Sequence, residues 1–322
     1  MGRKILYIVI TLVVAGAVAF FSGPRVPADM TISFDAASLG TDLDAYVAKR
    51  EVNTPNLREG LGREIIWAFP TSKAKTPISI VYVHGFSASK GEVRPLPDLV
   101  AKALGANLYY TRLTGHGQDG AAMGQATVND WANDYAEAMA IGRAIGERIL
   151  IIGASTGGGL MTWGLTQANL TENVLGAVMI SPNFGVQAAG SEILTAPFGK
   201  TLANIIIGKD REFKPENDLH ATLWTPKYPT DALLPMAAIT KLAAGLPVEQ
   251  IKTPAFFIYS KADKVIRPDL VEAMETRWGG PSKILAVEKN DDPYNHVIAG
   301  DALSPSTTRP LADAIIAWVA TL

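Results

Sequence analysis

Cysteine is absent from the 322-residue chain, which excludes disulfides, thiolate nucleophiles and cysteine-ligated metal sites. Excess charge of one sign is also lacking, because 29 basic and 31 acidic residues leave a formal net charge of -2. This balance gives no electrostatic case for nucleic acid as a partner. Histidine is scarce, and no two histidines stand at the spacing of metal ligands on a helix, so we expect no metal. The four histidines are His84, His116, His220 and His296.

A continuous apolar run stands near the N-terminus. Arg3 and Lys4 precede the run 5–21, whose 17 residues would span about 26 Å as a helix, slightly less than a bilayer core of about 30 Å. The length of the run favours an uncleaved anchor, whereas Ala17 and Ala19 resemble a signal-peptidase site. Positive residues before the run keep the N-terminus in the cytoplasm and send the following chain across the membrane. Residues 1–23 are therefore predicted to be a membrane anchor or signal peptide, with the remainder exported and either anchored or, after cleavage, periplasmic or secreted.

The most informative stretch is 149–160, where four aliphatic residues lead into Gly153-Ala154-Ser155-Thr156-Gly157 and then a helical pattern. A short aliphatic run bounded by glycine is typical of a strand buried on both faces. A serine between that strand and a helix is forced into a strained turn, and glycines two positions before and after it leave room for the close approach of strand and helix. The pattern predicts a nucleophile elbow with Ser155 as nucleophile and the Thr156 N–H as a donor to a developing anion.

Strands and helices alternate around this elbow. Strands are predicted at 62–69, 77–84, 106–111, 174–181, 254–260 and 283–287, and helices at 96–104, 129–148, 156–170, 269–278 and 307–322. Residues 24–60 carry no chemical motif and are interpreted as a connector with peripheral elements. Residues 61–322 are predicted to form the main domain.

A second glycine turn, His84-Gly85-Phe86, follows the buried strand at 77–84. An elbow supplies only one well-placed N–H, so an oxyanion hole needs a second donor from a neighbouring strand-to-helix loop. The Phe86 N–H is the candidate. His84, and His116 in Gly115-His116-Gly117, are interpreted as residues that brace their loops.

The alternation of strands and helices is lost between residues 183 and 254, where proline-broken helical pieces alternate with polar turns. An insertion at this point of the chain would lie over the carboxyl ends of the strands, near the serine. We interpret it as a helical cap that covers the site. Its aliphatic residues and Met236 would either line a pocket or pack the cap onto the core.

Two later loops carry candidate partners for the serine. Asp263 comes just after the strand at 254–260, where an acid can meet a base, and His296 stands in the loop after the last strand. A serine hydroxyl needs a base within hydrogen-bond reach, and that base needs a carboxylate to fix its tautomer. Asp291 and Asp292 are rivals for the carboxylate, although they lie in the same loop as His296.

With these motifs in the order Ser155, Asp263, His296, residues 62–322 resemble an α/β-hydrolase, and most closely the bacterial carboxylesterase and monoacylglycerol-lipase branch. The resemblance implies a mostly parallel central sheet flanked by helices, with a helical cap insertion at about 183–254. It implies catalysis by Ser155, His296 and Asp263, an oxyanion hole at Phe86 and Thr156, and no cofactor. Thr156 replaces the bulkier apolar residue often found after the serine in this family.

The implied activity is hydrolysis of carboxylic esters, short-chain or lipid-like, through an acyl-enzyme on Ser155. The small-molecule partner would be an acyl ester, and the membrane would be contacted through the N-terminal segment. Thioester, lysophospholipid and peptide substrates stay open on the same machinery. A membrane-anchored binding protein that keeps the fold without turnover is the alternative from a different class.

Overall fold

A seven-stranded sheet forms the centre of the computed structural model, which describes residues 2–322. The strands of the described residues are β1 (Glu64–Ile66), β2 (Thr76–Val83), β3 (Asn107–Tyr110), β4 (Gly146–Ala154), β5 (Val174–Ile180), β6 (Asp210–Glu212), β7 (Lys227–Pro229), β8 (Ala255–Tyr259) and β9 (Ser282–Ala286). The strand order in the sheet is β1-β3-β2-β4-β5-β8-β9, in which β1 pairs antiparallel with β3 and every other pair is parallel. The predicted α/β-hydrolase architecture with a mostly parallel sheet is thereby confirmed.

Helices pack on both faces of the sheet. The helices of the described residues are α1 (Gly2–Phe21), α2 (Leu43–Val52), α3 (Leu96–Leu104), α4 (Gly120–Met123), α5 (Val128–Ile145), α6 (Thr156–Gly164), α7 (Gly199–Ile206), α8 (Asp218–Leu223), α9 (Leu233–Ala244), α10 (Pro268–Arg277) and α11 (Pro305–Val319). The core on one face includes α3 and α11, and the core on the other includes α5, α6 and α10. This layering explains why the parallel strands are buried on both sides.

Strand β4 shows how the sequence fills both cores. Ile149 and Ile151 point into the core that contains α5 and α6, while Leu150 and Ile152 point into the core that contains α3 and α11. Successive side chains of a strand face opposite sides, so an unbroken aliphatic run supplies both cores at once. Packing on both faces therefore fixes the carboxyl end of β4 at the edge formed by the carboxyl ends of the parallel strands, where ligands bind in open α/β folds.

The helix that precedes β4 begins as the sequence indicates. Thr127 caps α5, because its side chain accepts from the Asp130 N–H while the Asp130 carboxylate accepts from the Thr127 N–H. This reciprocal capping box satisfies two N–H groups that a helix end leaves without partners.

The insertion predicted as a helical cap at about 183–254 contains the helices α7, α8 and α9 and, in addition, a short hairpin in which β6 and β7 pair antiparallel. Three-residue strands are too short to show a period, so the sequence gives no signal for them. The helix after the serine ends at Gly164 rather than near Leu170, because turns at Thr166 and Gln167 follow it.

The N-terminal helix α1 stands apart from the sheet. It has 20 residues and none of its side chains is buried. At 1.5 Å per residue this helix is about 30 Å long, so it matches the hydrocarbon core of a bilayer more closely than the run 5–21 suggested. A single exposed apolar N-terminal helix is compatible with a signal sequence or an anchor. Of the predicted segment 1–23, position 1 lies outside the described residues.

Candidate active site

Ser155 occupies the turn between β4 and α6. Its backbone has φ 47 and ψ -116, a conformation that a residue with a side chain rarely adopts. The strain is held by neighbours, because the Ser155 N–H donates to the Ile180 carbonyl at 2.9 Å and the Ser155 carbonyl accepts from the Asn183 N–H at 2.9 Å. Backbone strain of this kind persists only where the surrounding structure fixes it, and such sites cluster at functional positions.

The glycines around Ser155 make the tight turn possible. A Cβ on Gly157 would overlap the carbonyl oxygen of Val83 and lie 2.7 Å from that of His84. A Cβ on Gly153 would lie 3.1 Å from the Gly157 backbone. Strand and helix therefore approach so closely that a side chain on Gly157 would overlap backbone atoms and a side chain on Gly153 would press against them.

Ser155, His296 and Asp263 lie in a continuous hydrogen-bonded chain. The His296 Nε2 is 3.1 Å from the Ser155 Oγ, and the His296 Nδ1 is 2.8 Å from the Asp263 Oδ2. The other Asp263 oxygen accepts from the N–H groups of Val265 and Ile266. The carboxylate is thus fixed, and it leaves Nε2 of the imidazole free to accept the serine proton.

The rival carboxylates have other partners. The Asp292 Oδ2 accepts from the N–H groups of His296 and Val297 at 2.8 Å and 2.9 Å. The Asp291 carboxylate accepts from the Ser306 N–H. Asp292 therefore holds the backbone on which His296 is carried, while Asp263 holds the ring.

Charge around His296 favours its protonated form. Burial of the imidazole opposes protonation, but Asp263, by charge and hydrogen bond, and the charges of Glu92 and Asp292 outweigh burial and raise the pKa of His296 above its ordinary value. A histidine with a raised pKa is a stronger base toward the serine hydroxyl.

The loop at 84–87 carries the second predicted anion donor. The Gly85 N–H donates to the Glu92 Oε2 at 2.7 Å, and the Ser87 N–H donates to the His116 Nε2 at 3.0 Å. Between them, the Phe86 N–H has no acceptor within residues 2–322, and the same holds for the Thr156 N–H at the start of α6. Both residues border the cavity that Ser155 faces.

His84 and His116 brace the loops that hold these donors. The Leu113 N–H donates to the His84 Nε2 at 3.1 Å, so the His84 Nδ1 carries the proton and donates to the Gly85 carbonyl at 2.8 Å. Burial lowers the pKa of His84 to about 4 and also lowers that of His116, so both rings accept as neutral bases. The sequence interpretation of the two histidines as bracing residues agrees with these bonds.

Glu92 is a site residue that the sequence analysis missed. It is buried and borders the cavity beside Ser155 and His296. Its Oε2 accepts from the Gly85 N–H and from the Tyr82 hydroxyl at 2.9 Å, while a Cβ on Gly85 would meet the other oxygen, Oε1, at 2.6 Å. Its acidic character in a loop of small and apolar residues was the only signal in the sequence. That signal does not reveal that the chain folds back to place the carboxylate at the site.

The cavity in front of Ser155 has a volume of about 650 Å³. Aromatic and aliphatic side chains form the larger part of its wall, the cap contributes to it, and polar and charged side chains line the rest, among them Glu92, Lys214, Glu216 and Asp292. Pockets of this size and character are typical of sites for small organic ligands. Residues that line it include Phe86, Val186, Phe213, His220, Trp224, Tyr228, Met236, Val265, Tyr294 and Leu303.

Two sequence comparisons identify relatives of the chain. A family model described as "Alpha/beta hydrolase family" matches residues 80–305. A thermostable monoacylglycerol lipase of Bacillus sp. (strain H-257) is 28% identical over 194 residues, which make up 60% of this chain and 73% of the relative.

Solved structures share the fold. A structure described under LipS and LipT, two metagenome-derived lipolytic enzymes, has a TM-score of 0.67 at 23% identity. The aligned region covers 84% of this chain and 99% of the chain in that structure. A soluble variant of monoglyceride lipase from Saccharomyces cerevisiae, in complex with a substrate analog, has a TM-score of 0.59 at 12% identity. The aligned region covers 81% of this chain and 90% of the chain in that structure. At such identities the two structures establish a common architecture.

Proposed function

Because the chain belongs to the α/β-hydrolase family, we propose that it is a hydrolase of the lipase and esterase kind that cleaves carboxylic esters through an acyl-enzyme on Ser155. The observation that carries this proposal is the hydrogen-bonded chain from Asp263 through His296 to a serine in a strained turn at the edge of an apolar cavity. Ester hydrolysis needs a nucleophile, a base and an anion site, and the residues that we propose for these three roles lie close together.

In the first half of the reaction the Ser155 Oγ attacks the ester carbonyl while the His296 Nε2 takes the hydroxyl proton. The tetrahedral oxyanion accepts from the N–H groups of Phe86 and Thr156, and loss of one such donor typically costs about 3 to 4 kcal/mol. Collapse of this intermediate breaks the bond to the alcohol oxygen, which receives the proton from His296. The acyl group stays on Ser155.

In the second half a water molecule gives its proton to the His296 Nε2 and attacks the acyl-enzyme. A second tetrahedral intermediate forms at the same donors, and its collapse returns the proton to the Ser155 Oγ and releases the carboxylic acid. Throughout both halves, Asp263 holds the ring orientation and stabilises the imidazolium.

Esters with an apolar acyl group fit the cavity best, since aromatic and aliphatic side chains form most of its wall. The Bacillus relative is described as a monoacylglycerol lipase, which supports lipid-derived esters as substrates. Helix α1 is compatible with two locations: as an uncleaved anchor it would tether the domain to a membrane, and as a signal sequence it would direct export.

Labelling of the full chain in detergent with a short alkyl fluorophosphonate tests the proposal. We expect covalent modification at Ser155, detected by peptide mass spectrometry, and none in Ser155→Ala. His296→Ala should slow labelling by on the order of a thousandfold or more, because the serine then has no base. Ser282→Ala, at the exposed start of β9, is the matched control and should label at the wild-type rate. A folded wild-type protein that stays unlabelled would refute the acyl-enzyme mechanism.

A further inference from the structure

A second cavity, of about 460 Å³, lies directly beside the cavity in front of Ser155. Val186 and Met236 border both cavities, so these two side chains form the partition between them. Helix α9 builds much of this arrangement, because it contributes Met236 to the partition and Ala237 to the second cavity alone.

The Met236 side chain is suited to move. Its sulfur lies 3.6 Å from the Asn183 Nδ2 and 3.7 Å from the Thr240 Oγ1, and a thioether is only a weak acceptor for such groups. An unbranched side chain with three rotatable bonds can repack at little energetic cost. Rotation of Met236 would join the two cavities.

Apolar side chains line part of the second cavity, and the exposed side chains of Arg25 and Lys241 mark its mouth, while Glu192 and Arg267 also border it. Phe184, Leu194 and Leu270 line the interior. Arg25 and Lys241 lie at the cavity, and within residues 2–322 neither has a carboxylate within ion-pair distance. The apolar part of this wall would accept an acyl chain, because the methylene groups of the chain are removed from water there.

The mouth lies at the foot of α1. The Arg25 Nη1 donates to the Phe21 carbonyl at the end of that helix at 3.0 Å. Phe198 of the cap donates its N–H to the Pro24 carbonyl at 2.7 Å and packs its ring against Phe20, with 6.2 Å between the ring centroids. The second cavity therefore opens where the chain would meet a bilayer if α1 is embedded in it.

We propose that this second cavity, which we name the acyl chamber, holds the distal part of a long acyl chain while its ester group lies at Ser155. The inference rests on the proposed ester hydrolysis and deepens it, because it assigns long-chain esters drawn from a lipid phase as the substrate class. The chain enters between Val186 and a displaced Met236. Its burial against Leu194 and Leu270 contributes binding free energy for each methylene group removed from water.

A long-chain probe on the full-length wild-type protein tests the route of the chain. A hexadecyl fluorophosphonate with a terminal diazirine, bonded to Ser155 and then irradiated, should crosslink to residues 191–197 or to Leu270. A butyl analogue should crosslink only within the first cavity. Long-chain crosslinks confined to Phe213 and Trp224 would overturn the chamber, and wild-type protein that forms no bond at Ser155 would overturn the proposed function as well.

Substitution inside the acyl chamber gives an independent test. Ala237→Phe should lower kcat/KM for p-nitrophenyl palmitate by at least about tenfold, the effect expected when roughly two methylene groups lose their burial. Hydrolysis of p-nitrophenyl butyrate should be unchanged. Ala244→Phe, at a similarly half-buried position of α9 that borders neither cavity, is the matched control. Equal effects of Ala237→Phe on both esters, or no effect on either, would contradict the assignment.

Discussion

At the scale of single residues, the imidazole of His296 is surrounded by three carboxylates with different tasks. Asp263 bonds to the ring, Asp292 bonds to the backbone of the loop, and Glu92 acts on the ring through charge alone. Glu92 also holds the Gly85 N–H, next to the proposed donor at Phe86. Its charge and its hydrogen bonds can be separated, because glutamine keeps an acceptor oxygen and loses the charge.

Glu92→Gln is therefore expected to shift the pH dependence of catalysis. The Glu92 carboxylate helps to raise the pKa of His296, so its neutralisation lowers that pKa. The base form of His296 then persists to lower pH, and the acidic limb of the kcat/KM profile moves to lower pH. The profile should be measured with a soluble short-chain ester.

Glu288→Gln, at an exposed position near the end of β9, is the matched control and should leave the profile in place. A Glu92→Gln variant with lower activity but an unmoved acidic limb would mean that Glu92 acts only as a support for the loop.

At the scale of elements, the strand–turn–helix unit of β4, Ser155 and α6 depends on close backbone packing. Gly157 makes the closest approach to neighbouring backbone in this unit, since an added Cβ would overlap the carbonyl oxygen of Val83 and lie 2.7 Å from that of His84 at the end of β2. A methyl group there would meet backbone rather than a movable side chain, so the helix would have to shift away from the sheet.

Gly157→Ala should lower the free energy of unfolding by about 1 to 3 kcal/mol and slow fluorophosphonate labelling, because the shift also displaces the Thr156 N–H. Chemical denaturation and labelling rates measure the two effects. Gly245→Ala is the control, because a Cβ there would meet nothing closer than 3.7 Å. Gly157→Ala with wild-type stability and labelling would show that the turn has more space than its geometry indicates.

The elbow could be predicted from the sequence because all of its signals are local. A strand, two glycines, a serine and a helical pattern follow one another within a dozen residues. The placement of Asp263 and His296 in loops after later strands could also be predicted, because parallel strands bring their carboxyl ends to the same edge of a sheet. Their mutual distances nevertheless came only from the structure.

Features that depend on distant pairing could not be predicted. The order of strands in the sheet depends on which faces pack together, and the hairpin of β6 and β7 pairs residues 210–212 with 227–229. Glu92 joins the site because the chain folds back onto Gly85 and Tyr82. None of these three features leaves a periodic pattern in the sequence, because hydrophobic periodicity reports one element at a time.

At the scale of the whole molecule, α1, the cap and the acyl chamber lie on one side. The apolar surface of α1 continues onto the cap at Phe198, and α7 exposes Ile205 and Ile206 by 74% and 67% of their surfaces. Large apolar side chains that are exposed on the surface are typical of a membrane-facing surface. If α1 lies in a bilayer, this arrangement turns the mouth of the chamber toward the lipid.

A charge in the middle of α1 tests this orientation in the intact chain. Val13→Arg places a guanidinium near the centre of the apolar helix, where insertion becomes less favourable by about 3 kcal/mol. If α1 is an anchor, wild-type protein and the matched control Val13→Leu should stay in the membrane pellet after alkaline carbonate extraction, whereas Val13→Arg should appear in the supernatant.

Val13→Arg should also hydrolyse a vesicle-borne long-chain ester more slowly than wild type, because the chamber no longer faces lipid. It should hydrolyse a soluble butyrate ester as fast as wild type. Mass spectrometry of the N-terminal peptide decides the remaining alternative, since a mature chain that begins after the apolar run would identify α1 as a cleaved signal sequence and contradict the anchor.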